Sequence, residues 1–173
     1  MPETPAKPAP NFAIRRLDRA DAAAYREIRL EGLQRHPEAF GSSFEAEAAL
    51  SLDEFAERTV AVTTFAAERD GRLLGIVGLA RETMAKRLHR GTLVRMYVRA
   101  EARGSGVADA LVTTVLDHAR AEGLDAVLLA VIPEAEPARR LYARHGFTVY
   151  GVEPGALRIG DRSYDDELRI RIL

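Results

Sequence analysis

The chain has 173 residues, which is enough for one domain with a full hydrophobic core and too few for two of ordinary size. Its 25 Lys and Arg residues are balanced by 26 Asp and Glu residues, so no basic excess favours a nucleic acid or an anionic membrane as partner. The absence of cysteine excludes a disulfide framework, a thiolate nucleophile and a cysteine-based zinc site. The four histidines show no ligand spacing, so we expect no metal site.

The first ten residues contain four prolines and no apolar run of signal-peptide length. We predict that residues 1–10 form a disordered tail and that residues 11–173 form a single domain. No later stretch approaches the length of apolar sequence that a membrane-spanning helix needs. Together with the lack of cysteine, this composition predicts a soluble, cytoplasmic protein.

The domain is predicted to open with a strand and a helix. Residues 12–17 alternate between apolar and polar side chains, which is typical of a half-buried strand. Asp18 or Asp21 then caps a helix that reaches about His36 and is stopped by Pro37.

A second helix and a hairpin are predicted next. The helix begins after Ser51, after a loop that contains two aromatic residues. Residues 60–68 and 72–81 are rich in strand-forming side chains and flank Asp70-Gly71, a strong hairpin signal. We therefore expect two antiparallel strands.

The C-terminal half alternates strands and helices and closes with a hairpin. In chain order it is predicted to contain a strand through Leu93, a helix from Gly106 to about Glu122, a strand from Asp125, a helix with Pro137 near its first turn and Gly146 after its end, and two strands separated by Gly160-Asp161. This order predicts an α/β (α+β) fold with a mixed, mostly antiparallel central sheet of six to seven strands, flanked by about four helices.

The most informative stretch joins the Leu93 strand to the helix that follows it. Arg103, Gly106 and Ala108 stand in the order R-x-x-G-x-A, directly after a Met-Tyr-Val strand end. Glycine at such a turn lets a ligand approach the backbone closely, and the first turn of a helix offers unpaired N–H groups at the positive end of its dipole. The segment is therefore typical of a loop that holds a diphosphate.

A second motif lies downstream, where residues 138–147 read A-x-x-L-Y-x-x-x-G-F after the apolar run 126–131. The two motifs in this order resemble those of the GNAT superfamily of N-acetyltransferases. The resemblance covers most of the chain and implies the GNAT fold, acetyl-CoA as co-substrate without a metal, and a primary amine of a small molecule, peptide or protein as acceptor. Monomer and homodimer both stay open.

The resemblance also implies roles for particular residues. The loop would hold the CoA diphosphate and the strand before it would pair with the pantetheine arm, and the expected cofactor contacts are Met96, Tyr97, Val98, Arg103, Gly104, Ser105, Gly106, Val107 and Ala108. A backbone amide of Met96 or Val98 is the expected donor to the thioester carbonyl. Tyr142 occupies the family position whose phenol lies near the CoA sulfur and is the candidate acid, whereas its helical spacing alone predicts a core tyrosine.

A loop ahead of the second helix supplies candidate contacts to the acceptor. By resemblance to the family these are Phe40, Ser42, Ser43 and Phe44. Read without the resemblance, the same residues form an ordinary loop with a hydrophobic anchor. Both interpretations stay open.

The chain departs from the family pattern at two points. Ala135 stands where the family often has an asparagine, so one side-chain contact to the cofactor is lost. The Leu93 strand carries no carboxylate, and its polar side chains do not readily accept a proton at pH 7. The acceptor amine would then lose its proton through water, to a distant carboxylate or before it binds; the candidate bases, none of them favoured, are Glu82, His89, Asp165 and Asp166.

These residues are compatible with three functions. The leading hypothesis is an acetyl-CoA-dependent N-acetyltransferase that works through a ternary complex, because no cysteine or activated serine suggests an acyl-enzyme. The alternative is a non-catalytic acyl-CoA-binding module in which Tyr142 only packs. A mononucleotide-binding protein ranks last, since it needs several parallel β-α-β units and the sequence offers one.

Overall fold

A seven-stranded sheet forms the centre of the computed structural model, which describes residues 11–173. The predicted tail over residues 1–10 lies outside the described residues. The strands, in chain order, are β1 (Ala13–Arg16), β2 (Thr63–Arg69), β3 (Arg72–Arg81), β4 (Arg90–Val98), β5 (Ala126–Val131), β6 (Thr148–Ile159) and β7 (Arg162–Ile172). The helices are α1 (Ala22–Arg35), α2 (Phe44–Ala48), α3 (Leu52–Ala61), α4 (Val107–Ala121) and α5 (Glu136–Arg144).

The strand order across the sheet is β1-β2-β3-β4-β5-β7-β6. Within the described chain, β4 and β5 are the one parallel pair, and the other neighbours are antiparallel. The predicted fold class is therefore confirmed, with seven strands. The helix crossover through α4 is what makes the β4 and β5 pairing parallel, because the chain must return to the same end of the sheet.

Local capping signals set the starts of the first helices, as the sequence predicts. The Asp18 side chain accepts a hydrogen bond from the backbone N–H of Ala20 at 2.8 Å, and the Asp21 carboxylate accepts one from the backbone N–H of Asp18, at the 3-10 turn Arg19–Asp21 that leads into α1. Ser51 forms a capping box with Glu54 at the start of α3. Each pair satisfies N–H groups that a helix start leaves without partners.

Two boundaries differ from the prediction. The strand expected over residues 60–68 begins at Thr63, because α3 continues through Val60 to Ala61. Packing overrides the strand preference of the Thr59-Val60 pair, since Thr59 is fully buried and its hydroxyl donates to the Phe55 carbonyl at 2.7 Å. Part of the predicted loop before α3 also folds, as the short helix α2.

Helices cover both faces of the sheet. On one face, α4 buries Val107, Leu111, Val115 and Ala119 completely. Gly75 on β3 makes this close packing possible, because a Cβ at that position would lie 3.0 Å from both Val107 and Leu111. On the other face, α1 and α3 pack against β2, β3 and β4 in a second core that contains Tyr25, Ile28 and Phe55.

Strands β4 and β5 part along their length. They pair only over Arg90–Thr92 and Ala126–Leu128, although β4 continues to Val98 and β5 to Val131. The space between residues 94–98 and residues 129–131 is called here the β4–β5 gap. It opens toward the carboxyl ends of both strands, which is the end where α4 begins.

A bulge lies in β4 beside this gap. The pairing with β3 shifts between Val94, which opposes Gly78, and Tyr97, which opposes Ile76. Arg95 within the bulge has a φ of +59°, a left-handed conformation that residues other than glycine rarely adopt.

No helix of the described residues is both long and apolar enough to cross a membrane.

Candidate functional site

The glycine loop, residues 103–106, leads from the open end of the β4–β5 gap into α4. Gly104 and Gly106 have φ values of +76° and +90°, which favour glycine. A Cβ added to either residue would find no heavy atom within 4 Å, so both glycines face open space. Within the described chain, the N–H groups of Gly104 and of residues 106–109 have no hydrogen-bond acceptor.

This arrangement provides a binding surface for an anion. Unpaired N–H groups converge where the α4 dipole is positive, and no side chain covers the two glycines. The first helical residue, Val107, is fully buried, which holds the loop against the core. Ser105 shapes the turn, because its hydroxyl donates to the Ala102 carbonyl at 2.6 Å. The loop therefore fits the diphosphate expected there.

Arg103 lies folded along the end of β4. Its Nε donates to the Val98 carbonyl at 3.3 Å, and its Nη2 lies 3.0 Å from Nε2 of His36. The side chain is exposed, so it can exchange these contacts for an anion on the glycine loop.

The candidate residues on β4 face two directions. Met96 and Val98 pack against the core that contains α4, whereas Tyr97 belongs to the core that contains α1. The Arg99 N–H donates to Leu74 on β3, so strand alternation turns the backbone groups of Val98 and Met96 toward the β4–β5 gap. By the same alternation the backbone groups of Tyr97 face β3, so neither its side chain nor its backbone faces this gap.

Tyr142 lies on α5, and its ring packs against Phe147 in an edge-to-face pair with centroids 5.8 Å apart. The residue is only 6% exposed, and burial raises the pKa of its phenol well above the ordinary value. Its hydroxyl has no hydrogen-bond partner among the described residues. A protonated phenol with a free donor is what an acid in this position requires.

Ala135, which replaces the family asparagine, packs its side chain against the core.

The loop before α3 is partly occupied with structural contacts. Ser43 caps α2 by accepting a hydrogen bond from the Ala46 backbone at 3.2 Å, and Phe44 is the first residue of that helix. Phe40 packs against the α1 core and lies under the Arg29 guanidinium, 4.7 Å from its ring centroid. Ser42 helps to lower the pKa of Glu47 through a hydrogen bond.

The four candidate bases fall into two groups. Glu82 and His89 lie at the amino end of β4, where β4 and β5 still pair. The Glu82 N–H donates to the Arg90 carbonyl, and the His89 carbonyl accepts from the Asp125 N–H. Asp165 and Asp166 lie on β7 next to Glu167, which pairs with Val131 at the open end of β5. Asp165 accepts a hydrogen bond from the Gly155 backbone at 2.8 Å. Partial burial, together with the nearby Glu153, raises the pKa of Asp166.

A buried ion pair near the predicted acceptor loop was not expected from the sequence. Arg29 on α1 binds Glu47 on α2 through two hydrogen bonds of 2.9 and 2.7 Å. A signal was present in the sequence, because Arg29 follows Tyr25 by four residues and so falls on the buried stripe of α1.

No group of three or more metal-binding side chains occurs in the part of the chain that the structure describes.

Residues 24–147 match the model of the acetyltransferase (GNAT) family. The chain belongs to this family. The match includes the glycine loop, the β4–β5 gap and Tyr142, so the resemblance carried by the two sequence motifs is confirmed.

Solved structures of GNAT proteins share this fold. A GCN5-related N-acetyltransferase from Kribbella flavida is 26% identical, with a TM-score of 0.78 over 94% of this chain and 98% of that one. An acetyltransferase from Salmonella typhimurium, solved with its cofactor acetyl-CoA, is 21% identical, with a TM-score of 0.80 over 94% of each chain.

Curated relatives include mycothiol acetyltransferases. The protein of this name from Thermomonospora curvata is 38% identical over 92 residues, which are 51% of this chain and 29% of that protein. The one from Brachybacterium faecium is 30% identical over 157 residues, or 85% of this chain and 45% of that protein. The GNAT chain described here thus spans less than half the length of these relatives.

Proposed function

We propose that this GNAT protein is an N-acetyltransferase that transfers the acetyl group of acetyl-CoA to a primary amine. The observation that carries the proposal is the row of unpaired N–H groups at Gly104 and residues 106–109, which stands at the open end of the β4–β5 gap. Family membership supports the proposal, and so does the acetyl-CoA held by the Salmonella typhimurium structure of the same fold.

The glycine loop and β4 divide the binding of acetyl-CoA between them. Backbone N–H groups of Gly104, Gly106, Val107 and Ala108 bind the diphosphate, with Ser105 holding the turn and Arg103 adding a charged contact. The backbone groups of Met96 and Val98 pair with the pantetheine arm along the β4–β5 gap. The remaining edge of β4 suits this role because, among the described residues, it has no strand partner beyond Thr92 on that side.

The transfer needs a polarised carbonyl and a proton for the leaving sulfur. A backbone N–H of Met96 or Val98 donates a hydrogen bond to the thioester oxygen, where negative charge develops. The amine nitrogen attacks the carbonyl carbon, a C–N bond forms and the C–S bond breaks. Tyr142 gives its phenolic proton to the departing thiolate and recovers one from solvent.

The proton of the acceptor amine leaves without a dedicated base. Two of the four candidate residues, Glu82 and His89, lie at the paired end of β4, which is remote from the open end of the β4–β5 gap. Asp165 and Asp166 lie nearer that end, and the raised pKa of Asp166 favours it over Asp165 as a base, but neither is assigned that role here. Water carries the proton in this proposal.

Several finer properties belong to the same proposal. Residues 11–173 act as one domain, in the cytoplasm, as a monomer or homodimer. The cysteine-free composition fits a reducing compartment. The acceptor is a small molecule or peptide amine that meets the loop of Phe40, Ser42, Ser43 and Phe44.

The experiment pairs a binding measurement with a turnover measurement. CoA and acetyl-CoA should raise the melting temperature, because a ligand that binds only the folded state stabilises it. Release of CoA thiol should then depend on an added amine from a panel of antibiotics, polyamines, amino acids and peptides. Binding of CoA without thiol release for any amine would favour the non-catalytic acyl-CoA-binding module.

A further inference from the structure

A buried guanidinium with an unused donor lies beside the predicted acceptor loop. Nε and Nη2 of Arg29 hold both carboxylate oxygens of Glu47, and the two side chains are only 7% and 4% exposed. Nη1 of Arg29 is buried and has no hydrogen-bond partner among the described residues. The guanidinium also lies over the Phe40 ring, 4.7 Å from its centroid, so the ring and Glu47 share the charge of Arg29 and Nη1 makes no hydrogen bond within the described chain.

Two more arginines surround this pair and form with Arg29 the arginine cluster. Nη1 of Arg58 lies 3.6 Å from the same Glu47 carboxylate, and Nη1 of Arg95 donates to the Arg58 carbonyl at 3.0 Å. Glu54 also interacts with Arg58, so three guanidinium groups and the two carboxylates leave one formal positive charge. Arg29 keeps the pKa of Glu47 low against the effect of burial, so this count holds at neutral pH.

The arginine cluster lies on the acceptor side of the proposed reaction. Arg95 immediately precedes Met96, so their Cα atoms are about 3.8 Å apart. The left-handed φ of Arg95 sends its side chain toward α1 and α3, while Met96 packs toward α4. Strained backbone of this kind persists where the surroundings hold it, often at functional sites. The bulge thus places a cation next to the proposed thioester, on the face opposite the α4 core.

Tyr25 connects the two ends of the arginine cluster. Burial raises the pKa of its phenol, while the charges of Arg95 and Arg29 act in the opposite direction, so both arginines lie near it. A hydrogen bond from Arg95 also acts to lower the pKa of this phenol, and Tyr25 is only 1% exposed. Neighbouring Arg26 is engaged elsewhere, because it donates to the Ala48 carbonyl and lies over Phe55.

We propose that the arginine cluster binds a carboxylate of the acceptor, so that the substrates are amines that also carry an acid group, as amino acids do. This inference rests on the proposed acetyl transfer. Arg95 is the donor to the carboxylate, and Arg29 and Arg58 add positive charge. Planar guanidinium groups match a carboxylate, and the same charges repel polyamines and other polycationic amines.

The test compares matched ligands that differ in one charge. Binding of N-acetyl amino acids and of their α-carboxamides to the CoA-saturated protein is measured by calorimetry, and kcat/KM is measured for the free amino acids and their α-carboxamides. The variants are Arg95→Gln and, as a matched surface control, Arg81→Gln, whose side chain pairs with Glu122 on the surface. The preference is the ratio of kcat/KM for the amino acid to kcat/KM for its α-carboxamide. Comparing this ratio between wild type and variant cancels the different basicities of the two amine series.

The wild type and Arg81→Gln should favour the carboxylate over the carboxamide by about tenfold or more, and Arg95→Gln should lose most of this preference. CoA affinity should be equal in all three proteins. The inference is overturned if the wild type binds neither series, binds both equally, or keeps its preference in Arg95→Gln. If the protein prefers carboxylates in binding but releases no thiol, the carboxylate site stands and the proposed acetyl transfer is refuted. If it releases thiol with both kinds of amine and shows no preference, acetyl transfer stands and the carboxylate site is refuted.

Discussion

The hydroxyl of Tyr97 donates to Oε1 of Glu31 at 2.8 Å, which ties β4 to α1 across the face of the sheet opposite Met96 and Val98. The second oxygen of Glu31 accepts from Nη1 of Arg99 at 2.8 Å. Gly32 makes room for the Tyr97 ring, since a Cβ there would lie 3.0 Å from it. A candidate cofactor residue thus holds β4 in place through its side chain, while its backbone faces β3.

Removing this hydroxyl should affect stability but not cofactor binding. We expect Tyr97→Phe to lower the free energy of unfolding by about 1 kcal/mol near neutral pH, with unchanged CoA affinity. Burial, with help from Glu31, raises the pKa of Tyr97 from 10.0 to about 12. Because the folded state favours the protonated phenol, the difference between the two proteins should be full below pH 10 and shrink above it. Urea unfolding at about pH 7, 9 and 10.5 checks this, and a difference that persists undiminished at the highest pH would contradict it.

A negative side chain on the glycine loop should abolish CoA binding. Gly106→Glu would place a carboxylate at the proposed diphosphate site, where it blocks approach and repels the anion. Gly123→Glu is the matched control at the other end of α4, because Gly123 also has a positive φ, +71°, and open space around it. Both substitutions strain the backbone similarly. The CoA-dependent rise in melting temperature should vanish only in Gly106→Glu, and wild-type CoA affinity in that variant would place the site elsewhere.

The rate of transfer should depend on the Tyr142 hydroxyl. Tyr142→Phe keeps the ring that packs on Phe147 and removes a hydroxyl that has no partner in the described structure, so stability should barely change. We expect kcat to fall by roughly 10- to 1,000-fold with CoA affinity retained. Tyr97→Phe supplies the opposite pattern as a control, with stability lost and rate kept. An unaltered rate in Tyr142→Phe would return this residue to a purely structural role.

Acetylation should accelerate with pH over roughly 6.5 to 9, since the acceptor must lose a proton and no dedicated base removes it. The variants Glu82→Gln, Asp165→Asn and Asp166→Asn should each lower kcat/KM by about tenfold or less, whereas a dedicated base contributes roughly 100- to 10,000-fold. The pH profile of kcat/KM for each variant is the measurement. A thousandfold loss in one of them, with folding and CoA binding intact, would identify that residue as the base.

Features that depend on a few neighbouring residues were predictable from the sequence. The caps at Asp18 and Ser51, the Asp70-Gly71 turn and the glycine loop each follow from local hydrogen bonding or from allowed φ values. The fold class followed because hydrophobic periodicity and element order constrain how layers can pack. Where local preference and packing disagreed, at Val60, packing decided and α3 ran on into the predicted strand.

The sequence by itself determined the elements, their order, the glycine loop and the family. Only the tertiary structure decided which way individual side chains on those elements face. A bulge and a change of strand face separate Tyr97 from Met96, and Arg29 meets Glu47 across 18 residues of chain. The environment of the Tyr142 hydroxyl is likewise set by long-range packing. Such contacts join residues that are distant along the chain, so local propensity carries no information about them, and they distinguish a residue that binds a ligand from one that only packs.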